Sequence, residues 1–213
     1  MRADEPIKPI SEMRLLGGLP ALDFVNTVDS RIGRWGPDLL ISFETLVEFV
    51  ERVELIQPNE ASKLRDLVRE DPAGAALVYA RAKALREAIY RILLQAITSD
   101  QIGEDSLRPL NDELARVAMR REIRCEGAKF TWAWKPVELG DVATRLASAS
   151  ADLLLDETRL KRVKQCPGRN CGWLFLDETR NGRRRWCAEE TCGVHSRVLR
   201  YRQTRSGQKV PPN

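Results

Sequence analysis

Two close pairs of cysteines constrain the last quarter of this chain more than any other feature. Four residues lie between Cys166 and Cys171, fifteen between Cys171 and Cys187, and four between Cys187 and Cys192. Each pair can supply two thiolates from one tight turn, and the intervening chain is long enough to bring the pairs together. Four thiolates complete the tetrahedral shell of Zn²⁺. The spacing therefore predicts one structural zinc ion, with no coordination position open for catalysis.

Two disulfides are the alternative use of the same four cysteines. Residues 1–9 are polar and charged and lack the apolar run of a secretory signal. This favours a reducing compartment, in which disulfides do not persist. We therefore expect zinc and a cytoplasmic location. The sequence contains no apolar stretch that approaches the length of a membrane span, so we expect no membrane partner.

The charge of the chain changes sign near residue 160. Residues 1–158 carry 21 Lys and Arg against 27 Asp and Glu, whereas residues 159–213 carry 14 against 4. A small basic zinc module on an acidic body favours a polyanionic partner such as duplex DNA. The alternative is a solvated basic tail that only aids solubility. We favour the DNA partner because the charges cluster around the cysteines.

The hydrophobic pattern predicts an α+β fold that is mostly α. We expect residues 1–160 to form a helical domain and residues 161–213 to form a separate zinc finger. Apolar residues recur at helical spacing from residue 21 to about residue 160, interrupted by an alternating segment at 123–135 that indicates a β-hairpin. On this hairpin Trp132 and Trp134 share one face, which we expect to lie in the core, and Cys125 is expected to be buried.

The order of the segments in the zinc module predicts a treble-clef finger. A knuckle at 166–171 precedes a strand at 173–177, and Asn181-Gly182 signals a turn that returns the chain through 183–186. A helix from about 193 to 204 follows, and we expect its apolar residues Val194, Val198 and Tyr201 to pack against this hairpin. The module is too small for a sizeable core, so we expect it to need zinc to fold, whereas the body should not.

Basic residues of the module form the candidate DNA-binding set. Guanidinium groups on the hairpin tip and the last helix can contact phosphates without reading base sequence. The set comprises Arg180, Arg183, Arg184 and Arg185 around the tip, and His195, Arg197 and Arg200 on the helix.

Three polar residues interrupt an apolar helix near the N-terminus. Asp23, Asn26 and Thr27 fall on one helix face by their spacing and form a candidate site for a small-molecule effector. The alternative is that these side chains cap or bond neighbouring loops.

Several segments carry a resemblance to a known bacterial family. The segments Trp173–Asp177, Arg180-Asn181, Arg185–Cys187 and Thr191–Gly193 resemble the CGNR zinc finger. Gly17-Gly18, followed by residues 22–27, is similar to the start of the ABATE domain. The two occur together in proteins described as stress-induced transcription regulators. The resemblance implies a DNA-binding finger and an N-terminal sensor domain. Val194 and His195 stand where the family has Asn and Arg, and Tyr201 stands where it often has His.

Three functions are compatible with these observations. The leading hypothesis is a transcription regulator, the second is an adapter whose finger docks an acidic protein surface, and the third is an enzyme with an N-terminal pocket. We find no catalytic constellation, since the chain has one histidine and no phosphate-cradling glycine loop. We therefore do not expect an enzyme. The oligomeric state is not given by the sequence.

Overall fold

The computed structural model describes residues 8–33 and 36–205; the end at 206–213, which we expected to fray, lies outside them. The chain forms eight α-helices and two small antiparallel sheets in this described part, as an α+β fold that is mostly α. The helices are α1 (Pro20–Val25), α2 (Phe43–Arg52), α3 (Pro58–Glu70), α4 (Pro72–Thr98), α5 (Glu104–Arg120), α6 (Asp141–Leu155), α7 (Glu157–Leu160) and α8 (Val194–Arg205). The strands are β1 (Arg121–Glu126), β2 (Lys129–Trp134), β3 (Val163–Gln165) and β4 (Leu174–Leu176).

The body is built around α4, the longest helix. It packs against α1, α2, α3, α5 and α6. Its buried side chains include Leu85, Ile89 and Leu93, each at most 1% exposed. This burial is the main source of stability for helices of such length. No helix of the described chain is both long and apolar enough to cross a bilayer.

The helix starts follow capping chemistry. Ser42 accepts a hydrogen bond from the Thr45 N–H at the start of α2, as its position before an apolar run predicts. Asp71 caps α4 by accepting from Gly74. By its residue type Asn59 is expected to cap α3 after the break at Pro58, but this prediction is wrong. Pro58 is the first helical residue, so Gln57 occupies the capping position.

The hairpin predicted at 123–135 is confirmed, but the prediction that its aromatic face is buried is wrong. Strands β1 and β2 pair around a turn at Gly127, with Ile123 opposite Trp132 and Cys125 opposite Phe130. Trp132 is 62% exposed and Cys125 is also exposed. The inner end of this face meets the body, where the half-buried Trp134 ring lies 4.9 Å from the guanidinium of Arg145 in α6. The alternation therefore predicted the strands but not which part of each face is buried.

The second sheet differs from the predicted finger hairpin. Strand β4 pairs with β3, which precedes the first cysteine, and not with residues 183–186. The return segment forms no strand because residues 178–184 wrap around the buried carboxylate of Asp177 instead. The helix after Cys192 is confirmed as α8, but its apolar residues do not pack on a hairpin: Val198 is 42% and Tyr201 62% exposed.

Strand β4 and the cysteine knuckle join the hydrophobic core of the body. Both polar atoms of the Asn26 amide bond the backbone of Leu174, with Nδ2 donating at 2.8 Å and Oδ1 accepting at 2.9 Å. The indole of Trp173 donates to the Val28 carbonyl at 2.8 Å, and the Tyr90 hydroxyl donates to the Gly172 carbonyl at 2.9 Å. The knuckle strands and α1 therefore share one buried cluster.

The Gly17-Gly18 motif allows this close approach. A Cβ on Gly17 would lie 2.7 Å from the Cβ of Leu22, and Gly18 has a φ of 83°. The Gly17 carbonyl accepts from the Leu176 N–H at 2.8 Å. Gly17 and Asn26 thus form hydrogen bonds to two residues along the edge of β4 that β3 leaves unpaired. These bonds hold the finger against α1.

We predict that Asn26→Ala destabilises the zinc-loaded protein by about 2–4 kcal/mol, because it leaves the buried N–H and C=O of Leu174 without partners. Denaturant unfolding measures the change. The matched control is Asn111→Ala on the exposed side of α5, which should change the free energy of unfolding by at most about 0.5 kcal/mol. An Asn26→Ala protein as stable as the control would contradict the proposed role of this amide.

Candidate metal centre and basic surface

The four cysteine thiols converge on one point. Their sulfur atoms all lie within 4.8 Å of one another. The Sγ atoms of Cys171 and Cys187 are 3.5 Å apart, and those of Cys187 and Cys192 are 3.7 Å apart. A tetrahedral ion with zinc–sulfur bonds of about 2.3 Å separates its ligands by roughly 3.8 Å. The donor set and its spacing therefore fit a single Zn²⁺, as the sequence predicts.

The local fold positions each ligand. Cys166 follows β3 directly, and its N–H donates to the Trp173 carbonyl at 2.8 Å. Cys171 lies at the other end of the knuckle, and its N–H donates to the Gly168 carbonyl at 3.0 Å. A Cβ on Gly168 would lie 3.0 Å from the Cys192 sulfur, so glycine at this position spares the converging thiols a tight contact.

The crowded thiols favour a thiolate at Cys166. Because its sulfur can accept hydrogen bonds from the other three thiols, the pKa of Cys166 lies well below its ordinary value. Zinc needs deprotonated sulfur, so its binding must also displace protons from Cys171 and Cys187, whose pKa the neighbouring thiols and burial raise. Cys192 lies in a π-helical turn, Glu189–Gly193, that leads directly into α8. The metal therefore ties α8 to the knuckle.

Asp177 organises the loop between the two cysteine pairs. Its buried carboxylate accepts from Lys164 Nζ at 2.6 Å, from Thr179 N–H at 3.0 Å and from Arg184 N–H at 3.0 Å. Burial alone would raise the pKa of Asp177, but the hydrogen bonds from Lys164 and Thr179 hold it well below its usual range. The charged carboxylate thus fixes the path of residues 178–184.

The predicted basic residues of this loop have two different environments. Arg184 is half-buried, with its guanidinium 4.4 Å from the centre of the Phe175 ring. It donates to the carbonyl oxygens of Leu16, Leu176, Trp186 and Cys187. Because these internal bonds occupy its guanidinium, we leave Arg184 out of the candidate interface. The side chains of Arg180, Arg183 and Arg185 are exposed.

The basic residues of α8 are exposed as well. His195, Arg197 and Arg200 all lie on the solvent-accessible part of this helix. Arg197 forms an ion pair with Glu189 in the preceding turn. Exposed ion pairs of this kind contribute little to stability and can exchange partners. Their DNA-binding role stays a prediction.

The candidate effector residues near the N-terminus are buried and have internal partners. Asn26 bonds Leu174, and the Thr27 hydroxyl donates to the Phe24 carbonyl at 2.7 Å. Burial raises the pKa of Asp23 to about 6, although the backbone N–H groups of Gly17 and Leu16 bond it. These contacts match the alternative that the side chains bond neighbouring loops, and an effector role for them remains a prediction.

A cleft that the sequence analysis missed lies beside the metal centre. It has a volume of about 380 Å³ and separates the N-terminal segment from the knuckle. Met13, Leu39 and Trp173 provide apolar walls, while Lys8, Glu12, Arg14, Asp29 and Asn170 provide polar ones, and three of the cysteines contact it. Its residues come from distant segments with no shared motif, so only the tertiary structure identifies it.

We predict that Cys187→Ser lowers the bound zinc well below one ion per chain, because a hydroxyl replaces one of four thiolates. Cys125→Ser is the matched control, since this thiol is exposed and outside the cluster, and it should leave the zinc content unchanged. Elemental analysis of the purified proteins measures both. Full zinc content in Cys187→Ser would refute the four-cysteine site.

Two known families match the chain. Residues 18–157 match ABATE, described as "Putative stress-induced transcription regulator", and residues 162–205 match the CGNR zinc finger. No curated protein matches it. The two matches confirm the resemblance seen in the sequence, and the second agrees with the geometry of the four thiols. The chain therefore belongs to the ABATE family and carries a CGNR zinc finger after the ABATE domain.

Proposed function

We propose that this protein is a transcription regulator whose zinc finger binds duplex DNA. The observation that carries the proposal is the concentration of exposed cations on a metal-fixed surface of an otherwise acidic protein. Residues 159–213 carry 14 Lys and Arg against 4 Asp and Glu. The descriptions of the two matching families support the same function.

The proposed interface has two parts. Arg180, Arg183 and Arg185 project from the loop that Asp177 organises, and α8 presents its own exposed cations, including Arg202 and Arg205. Phosphate contacts from such side chains give affinity without sequence information. Base reading is assigned to α8, since an exposed helix can enter the major groove. His195 and Arg197 lie on its first turns.

The ABATE domain is proposed to sense an effector in the 380 Å³ cleft. The volume suits a small molecule, and the charged lining, with Lys8 and Arg14 beside Glu12 and Asp29, suits one that carries polar groups. A molecule bound there would contact both the N-terminal segment and the cysteine turns. Binding would therefore alter the position of the finger directly. The carboxylates of Glu12 and Asp29 are assigned to ligand contacts rather than to catalysis.

A protein-docking adapter is the second candidate function. The exposed apolar residues of α8, Val194, Val198 and Tyr201, favour it because they follow a single helix side at positions i, i+4 and i+7. In this alternative the finger binds an acidic surface of another protein instead of DNA. The two functions differ in their response to mixed-sequence duplex.

We predict that replacing Arg183 and Arg185 together by alanine weakens binding to all duplexes alike. Each lost phosphate contact should make the slope of log affinity against log salt shallower by about one unit. Fluorescence anisotropy with labelled duplex at several salt concentrations measures this slope.

The matched control replaces Arg69 and Arg108, which are exposed on the acidic body and paired with Asp66 and Asp105. This control should leave both affinity and slope unchanged. Absence of duplex binding by the zinc-loaded protein at low salt would defeat the DNA proposal and favour the adapter.

A further inference from the structure

The β1–β2 hairpin exposes an almost entirely apolar face. The register places Ile123 opposite Trp132 and Cys125 opposite Phe130, and directly opposed residues share a face. Phe130 is 72%, Ile123 63% and Trp132 62% exposed. Side chains of this size are normally the ones that a sheet buries. The hairpin therefore presents to solvent the face that should be covered.

The polar face of the same hairpin points the other way. Arg124 and Ala133 line an open groove whose opposite wall is formed by residues at the start of α3. Glu122 pairs with Arg124 on this face. An antiparallel sheet with one solvated face usually directs its apolar side to the core and its polar side to water. Here Trp134 of the apolar face also lines the groove, while the outer residues Ile123, Phe130 and Trp132 remain mostly exposed in the described chain.

The charges near the hairpin limit what this partner can be. The apolar face carries one cation, Arg121, whose guanidinium stacks 5.0 Å from the Trp132 ring and 5.6 Å from the Trp134 ring. The body around it is acidic overall, with 21 Lys and Arg against 27 Asp and Glu in residues 1–158. This acidic surround disfavours a polyanion at the hairpin relative to the basic finger. The hairpin itself, at 121–134, is almost balanced, with three cations and two anions.

The area of the face matches a weak interface. A buried aromatic side chain covers about 150–250 Å², so Phe130 and Trp132 leave roughly 100–150 Å² each in water. With Ile123 and Cys125 the patch reaches roughly 400 Å², the size of the largest apolar patch on a typical monomer, which often has a binding role. If two such patches cover each other, they bury roughly 800 Å² in total, without the surrounding polar residues. A specific interface is expected to bury at least ~1,000 Å².

We propose that two copies of this chain associate through these hairpin faces. An apolar face with little charge can meet the same face of a second copy without strong like-charge repulsion, and a two-fold arrangement buries both at once. The limited area makes the dimer weak and dependent on concentration. The inference does not rest on DNA binding, because it concerns only the ABATE domain. If the finger binds DNA, the dimer supplies two fingers and doubles the number of phosphate contacts.

Sedimentation velocity of the zinc-loaded full-length protein over a range of concentrations tests the proposal. The wild type should convert from monomer to dimer as concentration rises. Phe130→Glu and Trp132→Glu, each measured alone, should weaken the dimer about tenfold or more, because they place a charge in the apolar contact. Thr131→Glu is the matched control, since residue 131 is exposed on the opposite face of the same strand, and it should dimerise like the wild type.

A second readout separates loss of contact from loss of fold. The exposed thiol of Cys125 lies on the apolar face, so its alkylation by a maleimide should slow as the wild-type concentration rises but not in the Phe130→Glu protein. Circular dichroism and zinc content verify that each variant is folded. A wild type that remains monomeric at the highest concentration would overturn the proposal. A dimer that survives both glutamate variants, or that Thr131→Glu disrupts equally, would also overturn it.

Discussion

The rest of the structure depends on the attachment of strand β4 to helix α1 through Asn26. This one amide satisfies the N–H and C=O of Leu174 on the edge of β4 that β3 does not pair with. Without it, two buried backbone groups would lack partners at the centre of the contact between the body and the finger. Trp173 and Tyr90 add hydrogen bonds on either side, so the knuckle is fixed at three points. Asn26, at the end of α1, therefore attaches the finger, whereas Asp23 and Thr27 bond Gly17 and Phe24, which are near them in the chain.

This attachment gives the metal centre a second role. Zinc closes the knuckle, and the knuckle completes the core that α1 and α4 begin. In a small finger that folds alone, metal binding stabilises only the finger. Here the buried cluster continues from the cysteines into the body, so part of the metal-binding free energy should stabilise the ABATE domain. The cleft lies at the same junction, which is why we propose that an effector bound there acts on the finger.

Much of the architecture could be predicted because it follows local rules. The cysteine spacing predicts the metal, the cap at Ser42 predicts the start of α2, and the alternation at 123–135 predicts the first hairpin. The failures concern what lies against each element. The pattern of residues 183–186 suggested a return strand, but the carboxylate of Asp177 captures the neighbouring loop instead. Trp132 and Val198 were expected to be buried, but they are 62% and 42% exposed in the described chain. Arginine is a residue type that commonly contacts phosphate, but the guanidinium of Arg184 donates to backbone carbonyl oxygens within the protein. The burial and the bonding partners of these side chains depend on residues far apart in sequence. Periodicity and spacing describe only neighbouring residues, so they cannot predict such contacts.

Hydrogen–deuterium exchange with and without a zinc chelator tests most directly whether the metal centre and the helical body are one cooperative unit. We expect zinc removal to accelerate exchange in β3, β4 and α8, and also in α1 and in the part of α4 around Tyr90. This result follows if the knuckle completes the core to which those helices belong. Protection in α1 and α4 that stays unchanged while residues 163–205 exchange freely would contradict the account. That result would instead support the independently folding finger expected from the sequence.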